Sequence, residues 1–256
     1  MTPLEQYDHL LPTYRNEIMN KMGASDWLAY NEVLCSAHSC AIEGNSFTVD
    51  ETRELKERGL GVVPVGKTLL EAFEILDHFR AYEYVISKAG EPMTEELLLE
   101  VHRLVTLNTI ASRTGGEAHP GEYTTVDMAA GDTMFGDHEM LISQVPRLLE
   151  STQRQLEAGM LHPLLLAARF HCFFEFLHPF RDGNGRTGRL MANFILLSKQ
   201  HPVVIIRNED RQEYISALRF YKKERSTEAI EQFFINTAIE RMQREIEEKQ
   251  TLTRIL

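Results

Sequence analysis

Hydrophobic residues recur at helical spacing along most of this chain. Between Trp27 and Glu43, apolar side chains repeat every three or four residues, and Gly44 follows as a stop signal. Comparable patterns, several of them opened by a capping threonine or by a proline, predict further helices. These helices cover about residues 49–58, 68–88, 94–105, 146–158, 163–177, 186–199, 209–223 and 227–249. The expected fold class is therefore all-α.

The helical pattern breaks between Thr109 and Asp137. Four glycines fall between residues 115 and 131, and Tyr123–Met128 is the only short stretch with a β-like pattern. Residues 134–135 could pair back with it across a turn at 131–132. We therefore expect one small surface β-hairpin in an otherwise helical fold.

Length, net charge and cysteine content limit the kinds of molecule that this protein can bind. With 256 residues and a formal net charge of −11, the chain is long enough for a full core and too acidic for nucleic acid or an anionic membrane. A polyanionic ligand would have to bind in a local pocket. The three cysteines lie within apolar helical patterns, which favours buried, reduced thiols. No signal peptide opens the sequence and no apolar run approaches roughly 18 residues, so we expect a cytoplasmic protein.

The stretch from His178 to Arg189 brings together residue types that can bind an anion and transfer a proton. Its glycines let the backbone approach a ligand, and a helix beginning near Arg186 would present free N–H groups to an anion. Arg186 and Arg189, three positions apart, share one face of that helix. Pro179 disfavours helical geometry at His178, so the preceding helix should end there. A titratable base and the hard-metal ligand Asp182 beside an anion site predict phosphate chemistry.

Two other interpretations of this stretch are weaker. Residues 183–188 spell the dinucleotide fingerprint G-x-G-x-x-G, but that fingerprint counts only after a strand. The preceding run, 163–177, opens with proline and is too long for a strand, so it is a helix. A plain joint between two helices would explain the glycines but not the histidine, carboxylate, amide and arginines around them.

The sequence HPFRDGNGRTGR resembles the signature of the Fic family, HPFx[DE]GNGRxxR, at every specified position. Far upstream, residues 39–45 resemble the family's inhibitory pattern, [ST]xxxE[GN]. The resemblance covers about residues 25–225 and implies an all-α fold with a β-hairpin flap. It divides the chain into an N-terminal region (1–60) with an inhibitory helix at about 27–44, a core (61–225) and a C-terminal helix (226–256), expected as one compact unit.

The resemblance implies transfer of AMP from ATP to a Ser, Thr or Tyr hydroxyl of a protein. His178 would be the general base and Asp182 would hold Mg²⁺. The implied nucleotide-binding residues are Gly183, Asn184, Gly185, Arg186, Thr187, Gly188 and Arg189. Tyr214 resembles an aromatic residue found near the adenine, although simple packing on a helix face explains it equally well. The implied target-docking flap comprises Thr125, Val126, Asp127, Met128, Ala129, Ala130, Gly131, Asp132 and Thr133.

Glu43 is the candidate regulator. It ends a helix, where a carboxylate costs about 0.3–1 kcal/mol unless a cation compensates it, and Ser39 shares its face. The resemblance supplies the cation: Arg189 would pair with Glu43 and be withheld from ATP, so that the enzyme inhibits itself in cis. Removal of AMP, transfer of another nucleotidyl or phosphoryl group, and a non-enzymatic nucleotide-binding module remain as alternatives. The expected partners are ATP and an unidentified target protein, with no nucleic acid and no membrane; self-modification and a homodimer are left open.

Overall fold

The computed structural model describes residues 1–130 and 133–255, with side chains except at 62, 130, 133, 134 and 252–255. The N-terminal helices are α1 (Pro3–Tyr14), α2 (Asn20–Met22), α3 (Ala24–Ile42) and α4 (Val49–Arg58). The middle of the chain forms α5 (Leu69–Ser87), α6 (Glu95–Thr106), α7 (Ile110–Thr114) and α8 (Leu141–Ala158). The last third forms α9 (Pro163–Leu177), α10 (Asn184–Ser198), α11 (Arg211–Glu224) and α12 (Glu228–Ile255). A π-helical turn (Arg15–Met19) and short 3-10 turns (Gly59–Val62, His138–Met140, Asn208–Asp210) complete the helical elements.

Local capping explains where many of these helices begin. The hydroxyl of Thr48 accepts a hydrogen bond from the backbone N–H of Glu51, and the carboxylate of Glu51 accepts one from the backbone N–H of Thr48. Thr68 forms the same reciprocal pair at the start of α5, and Thr94 caps α6. The all-α fold class predicted from the sequence is confirmed.

Helices α9 and α10 form the centre of the fold. Helix α9 packs against α8, α10, α11 and α12, and α10 packs in addition against α3, α5 and α6. Nearly all of α10 from Asn184 to Leu196 is buried. The loop between α9 and α10 is thus held at both ends by the core, which suits it to positioning reactive groups.

Four predicted helix starts were wrong by two to five residues; α3 begins at Ala24 instead of Trp27, and α11 begins at Arg211 instead of Glu209. Helix α8 begins at Leu141, so Pro146 lies inside it rather than at its first position. The missing N–H of a proline weakens a helix interior, but burial of Leu141 and Val145 stabilises the turn before it. Helix α10 begins at Asn184, two residues earlier than predicted, after Gly183.

The hairpin is shorter than predicted and lies later in the chain. Strands β1 (Ala129–Ala130) and β2 (Thr133–Met134) pair antiparallel, with Ala129 opposite Met134 and Ala130 opposite Thr133. The expected strand over residues 123–128 is absent, because the N–H of Thr124 donates to the carbonyl of Pro179 (2.8 Å) and a local hydrogen-bonded turn follows. Gly131 and Asp132 lie outside the described residues.

The expectation for the thiols is confirmed: Cys35, Cys40 and Cys172 are free and buried. Among the described residues, no helix has the combination of length and apolar character that crossing a membrane requires.

Candidate active site

The loop from His178 to Gly183 leaves α9 abruptly. His178 adopts the left-handed conformation (φ 50°, ψ 58°) while its N–H still donates to the carbonyl of Phe174, so the helix ends there as predicted. Phe180 is fully buried and its ring stacks on His102, with the centroids 3.6 Å apart. The ring of His102 also contacts the carbonyl oxygen of Asp182 (Nε2···O, 3.0 Å). These contacts with His102 of α6 hold the loop in place.

The carboxamide of Asn184 closes the loop on itself. Its Oδ1 accepts from the N–H of Phe180 (2.9 Å) and its Nδ2 donates to the carbonyl of Phe180 (2.7 Å), in a buried position. Asn184 was predicted to bind nucleotide; in the structure its side chain makes two hydrogen bonds that shape the loop. The backbone N–H groups of the first turn of α10 remain as the anion-binding element of this stretch.

All three glycines of the motif approach a neighbouring side chain too closely for a Cβ; at Gly188 the Cβ would lie 2.8 Å from Nδ1 of His171. A Cβ at Gly183, whose φ is +79°, would lie 2.6 Å from Cγ2 of Thr106. A Cβ at Gly185 would lie 2.2 Å from Oε1 of Glu43. Thr187 and Gly188, also predicted to bind nucleotide, lie on the buried side of α10. The motif glycines therefore serve packing between helices as well as ligand access.

The first motif arginine is buried between two carboxylates. Nη1 of Arg186 lies 2.6 Å from Oε1 of Glu74, and Nη2 donates to Oδ2 of Asp182 (3.0 Å). Glu74 is fully buried and also accepts from Arg113 and from the amide of Asn45. Glu74 thus connects the motif to the segment that follows α3.

The second motif arginine is held by the end of α3. Arg189 donates from Nε to Oγ of Ser39 (3.0 Å), and from Nη2 to the carbonyl of Ser39 (2.9 Å) and to Oε1 of Glu43 (2.8 Å). Its remaining nitrogen, Nη1, is 3.4 Å from the hydroxyl of Tyr214. Every nitrogen of this guanidinium thus has a protein partner.

The carboxylate of Glu43, at the negative end of the α3 dipole, forms an ion pair with Arg189. Burial alone would raise the pKa of Glu43, but the guanidinium of Arg189 brings that pKa below its ordinary value. Arg211 donates from Nε to the carbonyl of Ile42 (2.7 Å), which fixes the last turn of α3. Two arginines therefore satisfy the carbonyls and the carboxylate at this helix end.

A cavity of about 260 Å³ opens between the motif, the end of α3 and α11. His178, Gly185, Arg189 and Glu43 line it, and Tyr214 contributes to its wall. Tyr214 is buried, and its hydroxyl lies 2.6 Å from Nε2 of His171. The cavity therefore offers a base, an arginine and an aromatic wall to one ligand, as a nucleotide site would need.

The imidazole of His178 is held in place by stacking. Its ring lies against the ring of Phe135, with centroids 3.9 Å apart and planes 15° from parallel. Burial lowers the pKa of His178 to about 4, so the imidazole is neutral at physiological pH and can accept a proton.

The base of the predicted flap is hydrogen-bonded to the last turn of α9. The N–H of Gly136 donates to the carbonyl of Phe176 (3.2 Å), and the N–H of Phe135 donates to the carbonyl of Met128 (3.0 Å). The side chains of residues 125–127 and 129 are exposed. The Asp127 carboxylate accepts from the ring and the backbone of His138, across the hairpin base. The hairpin base thus lies directly beside the loop that follows α9.

Asp182 is the residue at this site that could hold a metal ion. Its carboxylate is partly exposed, and one oxygen is shared with Arg186. A single carboxylate, completed by waters and phosphate oxygens, matches the way proteins bind Mg²⁺ with nucleotides. A second candidate group, Asp127, Asp137 and His138, is largely exposed and lies at the hairpin base.

Sequence reasoning missed two residues that the structure places at the site. Glu175 lines the cavity one helical turn before His178, and Glu74 anchors Arg186. Glu175 was detectable as the one carboxylate in the otherwise apolar run of α9. Glu74 had no such signal, because acidic residues are ordinary on helices.

Comparison with known proteins agrees with this arrangement. A model of the Fic/DOC family matches residues 92–196. The chain is 35% identical over 197 residues to a protein adenylyltransferase Fic from Nematostella vectensis, which covers 71% of this chain and 41% of that protein. The chain thus spans less than half the length of that relative.

Solved structures share the fold. A Fic domain-containing signaling protein from Bacteroides thetaiotaomicron superposes with a TM-score of 0.84 at 20% identity, covering 98% of this chain and 97% of that one. A fragment of Fic-1 from C. elegans gives a TM-score of 0.77 at 25% identity, covering 97% and 73%. The motif, the matched region and these relatives together place the chain in the Fic/DOC family.

Proposed function

We propose that this protein is an adenylyltransferase that transfers AMP from ATP to a hydroxyl group of a protein target and that Glu43 restrains it in cis. In the reaction, the hydroxyl oxygen forms a bond to the α-phosphorus, the bond from that phosphorus to the oxygen bridging to the β-phosphate breaks, and pyrophosphate leaves. His178 takes the hydroxyl proton. The names of the sequence relatives support this activity, and the neutral, stacked imidazole at the cavity supports the role of the base.

The observation that carries the restraint is that every nitrogen of the Arg189 guanidinium donates to a protein group. Three of its hydrogen bonds go to Ser39 and Glu43, at the end of α3. A triphosphate needs a free guanidinium fork to neutralise its terminal phosphate. While Glu43 holds that fork, ATP lacks the contact that would orient its α-phosphate for attack.

The other groups divide the remaining work. Backbone N–H groups at the start of α10, with the charge of Arg186 beneath them, would stabilise the phosphates. Asp182 would hold Mg²⁺, which when bound neutralises phosphate charge and favours departure of pyrophosphate. The hairpin near residues 125–133 would align a target segment through main-chain pairing.

The test compares wild type with Glu43→Gly, using ATP labelled on the α-phosphate and Mg²⁺. We expect Glu43→Gly to label itself or a protein of the source cell far more strongly than wild type. Glu224→Gly is the matched control, since Glu224 is an exposed glutamate in the last turn of another helix. The control should label no better than wild type.

His178→Ala in the Glu43→Gly background should abolish labelling. If protein takes up label from the γ-phosphate of ATP and not from the α-phosphate, the reaction is phosphoryl transfer and not nucleotidyl transfer. Equally weak labelling of wild type and Glu43→Gly would contradict the proposal that Glu43 restrains the enzyme. Loss of AMP from a modified target in the presence of wild type only would favour AMP removal as the activity of the restrained form.

A further inference from the structure

Glu175 is a buried carboxylate to which the proposed reaction assigns no role. It lies in the last turn of α9, lines the same cavity as His178, and has 14% of its side chain exposed. Its Oε1 is buried without a hydrogen-bond partner among the described residues. An unpaired carboxylate oxygen in an apolar helix is costly, which indicates a use beyond packing.

Two parts of Glu175 face the imidazole of the proposed base: its backbone, which raises the pKa of His178, and its carboxylate. Oε2 of Glu175 lies 3.9 Å from Nδ1 of His178, and Nδ1 is itself buried without a partner. Phe135 fixes the plane of the ring by stacking, but that contact does not decide which nitrogen carries the proton. Because Nδ1 is buried, Nε2 is the nitrogen that a substrate hydroxyl can reach.

We infer that Glu175 is a positioning residue that keeps the proton of His178 on Nδ1, so that the lone pair of Nε2 faces the attacking hydroxyl. This inference rests on the proposed function. An acceptor beside one ring nitrogen selects the tautomer protonated there, as the second-shell carboxylate of a catalytic or metal-binding histidine does. To form that hydrogen bond, Oε2 of Glu175 and Nδ1 of His178, 3.9 Å apart, must approach by about 1 Å.

The charges around this pair connect it to the restraint. The titratable and charged groups that face Glu175 and His178 are Glu43, Cys172, Asp182, Arg189, Tyr214 and Lys222. Burial raises the pKa of Glu175 to about 7; the guanidinium of Arg189 opposes this shift and the carboxylate of Glu43 adds to it. A protonated Glu175 would donate to Nδ1 and leave the proton of a neutral imidazole on Nε2, the wrong tautomer for a base. Glu43 thus disfavours the ionised form of Glu175 in addition to occupying Arg189.

The first test reads the tautomer without any turnover. Nitrogen-15 NMR of protein labelled at its ten histidines, with His178→Ala used to assign the signal, reports which ring nitrogen is protonated. We expect Nδ1–H in the Glu43→Gly protein at pH 8. Glu175→Leu, which keeps the volume and removes the acceptor, should move the proton to Nε2. An unchanged Nδ1–H signal in Glu175→Leu would overturn the inference.

The second test measures labelling rates in the Glu43→Gly background. Glu175→Leu should lower the maximal rate by about 10- to 100-fold, a part of what general base catalysis contributes, with little change in the KM for ATP. Glu175→Gln keeps an acceptor oxygen, so it should retain most of the rate at neutral pH. Its rate should no longer rise with pH over the range in which Glu175 of the parent loses its proton, because an amide does not titrate.

Glu240→Gln is the matched control, since Glu240 is exposed on α12. It should keep both the rate and the pH profile of the Glu43→Gly parent. An unchanged rate and profile in both Glu175 variants would overturn the positioning role while leaving the proposed function intact. If the Glu43→Gly parent does not label at all, the proposed function fails, and the NMR test still decides the role of Glu175.

Discussion

The hydroxyl of Ser39 offers the sharpest test of how α3 restrains Arg189. Oγ of Ser39 accepts a hydrogen bond from Nε of Arg189 at 3.0 Å, and both side chains are buried. A hydrogen bond to a charged group contributes about 1.5–3 kcal/mol. Ser39→Ala removes this bond and leaves a buried donor on Arg189 unpaired, while the carbonyl of Ser39 and Glu43 still accept from Nη2.

The expected effect on activity follows from the energy of that one bond. Each 1.4 kcal/mol changes an equilibrium by a factor of ten, so the ratio of restrained to free Arg189 should fall by about 10- to 100-fold. Because the free form is the minor one in wild type, the labelling rate from α-labelled ATP should rise by the same factor, up to the rate of Glu43→Gly. Ser39→Thr keeps a hydroxyl and should stay near wild type. Ser216→Ala, which removes an exposed hydroxyl on α11, should change nothing.

The double variant makes this prediction stringent. If Ser39 and Glu43 act on the same guanidinium, Ser39→Ala should add little to the rate of Glu43→Gly, because the restraint is already lost. The reasoning is refuted if Ser39→Ala labels no faster than wild type while Glu43→Gly does. It is refuted equally if Ser39→Ala multiplies the rate of Glu43→Gly by its full factor, because the two residues would then act independently.

Two predictions concern stability. Asn184→Ala leaves the N–H and the carbonyl of Phe180 without their partners, at a cost of about 1–3 kcal/mol for each buried group. The urea concentration at the midpoint of unfolding should therefore fall clearly. A midpoint within error of wild type would show that these two hydrogen bonds do not stabilise the fold. The second prediction concerns His78, His102 and His171, whose pKa values are lowered to about 3 by burial. In the unfolded chain these histidines have a pKa of about 6.5 and bind protons below it, whereas in the folded chain they stay neutral. The free energy of unfolding should therefore be highest above pH 6.5 and fall as the pH is lowered toward 3. For three histidines the loss reaches about 4 kcal/mol per pH unit. Thermal unfolding between pH 7 and pH 5 checks this; a constant Tm would contradict it.

The sequence predicted the fold best where signals are local. The run opened by Pro163 and closed at His178 became α9 with the predicted bounds, because a proline at its start and a proline after its end are both readable in the chain. Pro146 misled for the same reason: a proline favours a first helical position, but here the buried face of α8 continues through it. The hairpin lies later than predicted because Thr124 forms a tertiary hydrogen bond to Pro179, which overrides the β-like pattern of the sequence.

The candidate site was predictable in its chemistry but not in the partners of its side chains. Residue types showed that the stretch around Asp182 and Arg189 could bind an anion, and that Glu43 needed a cation. Local reasoning could not identify that cation, since the two residues are 146 positions apart and meet only because α3 packs on α10. The resemblance supplied that pair as an expectation. Neither approach predicted that the amide of Asn184 would be used within its own loop.

Glu43 can affect catalysis in two ways that differ in range. Its hydrogen bond to Arg189 is a contact, and a residue without a side-chain acceptor, such as glycine, removes it. Its effect on Glu175 is electrostatic and acts through a site of low dielectric, so it depends on charge rather than on shape. Glu43→Gln separates the two effects, because the amide keeps an acceptor for Arg189 while removing the charge. If only the contact restrains the enzyme, this variant should stay largely silent at every pH. If the field on Glu175 contributes, labelling should rise, and its dependence on pH should shift to lower values.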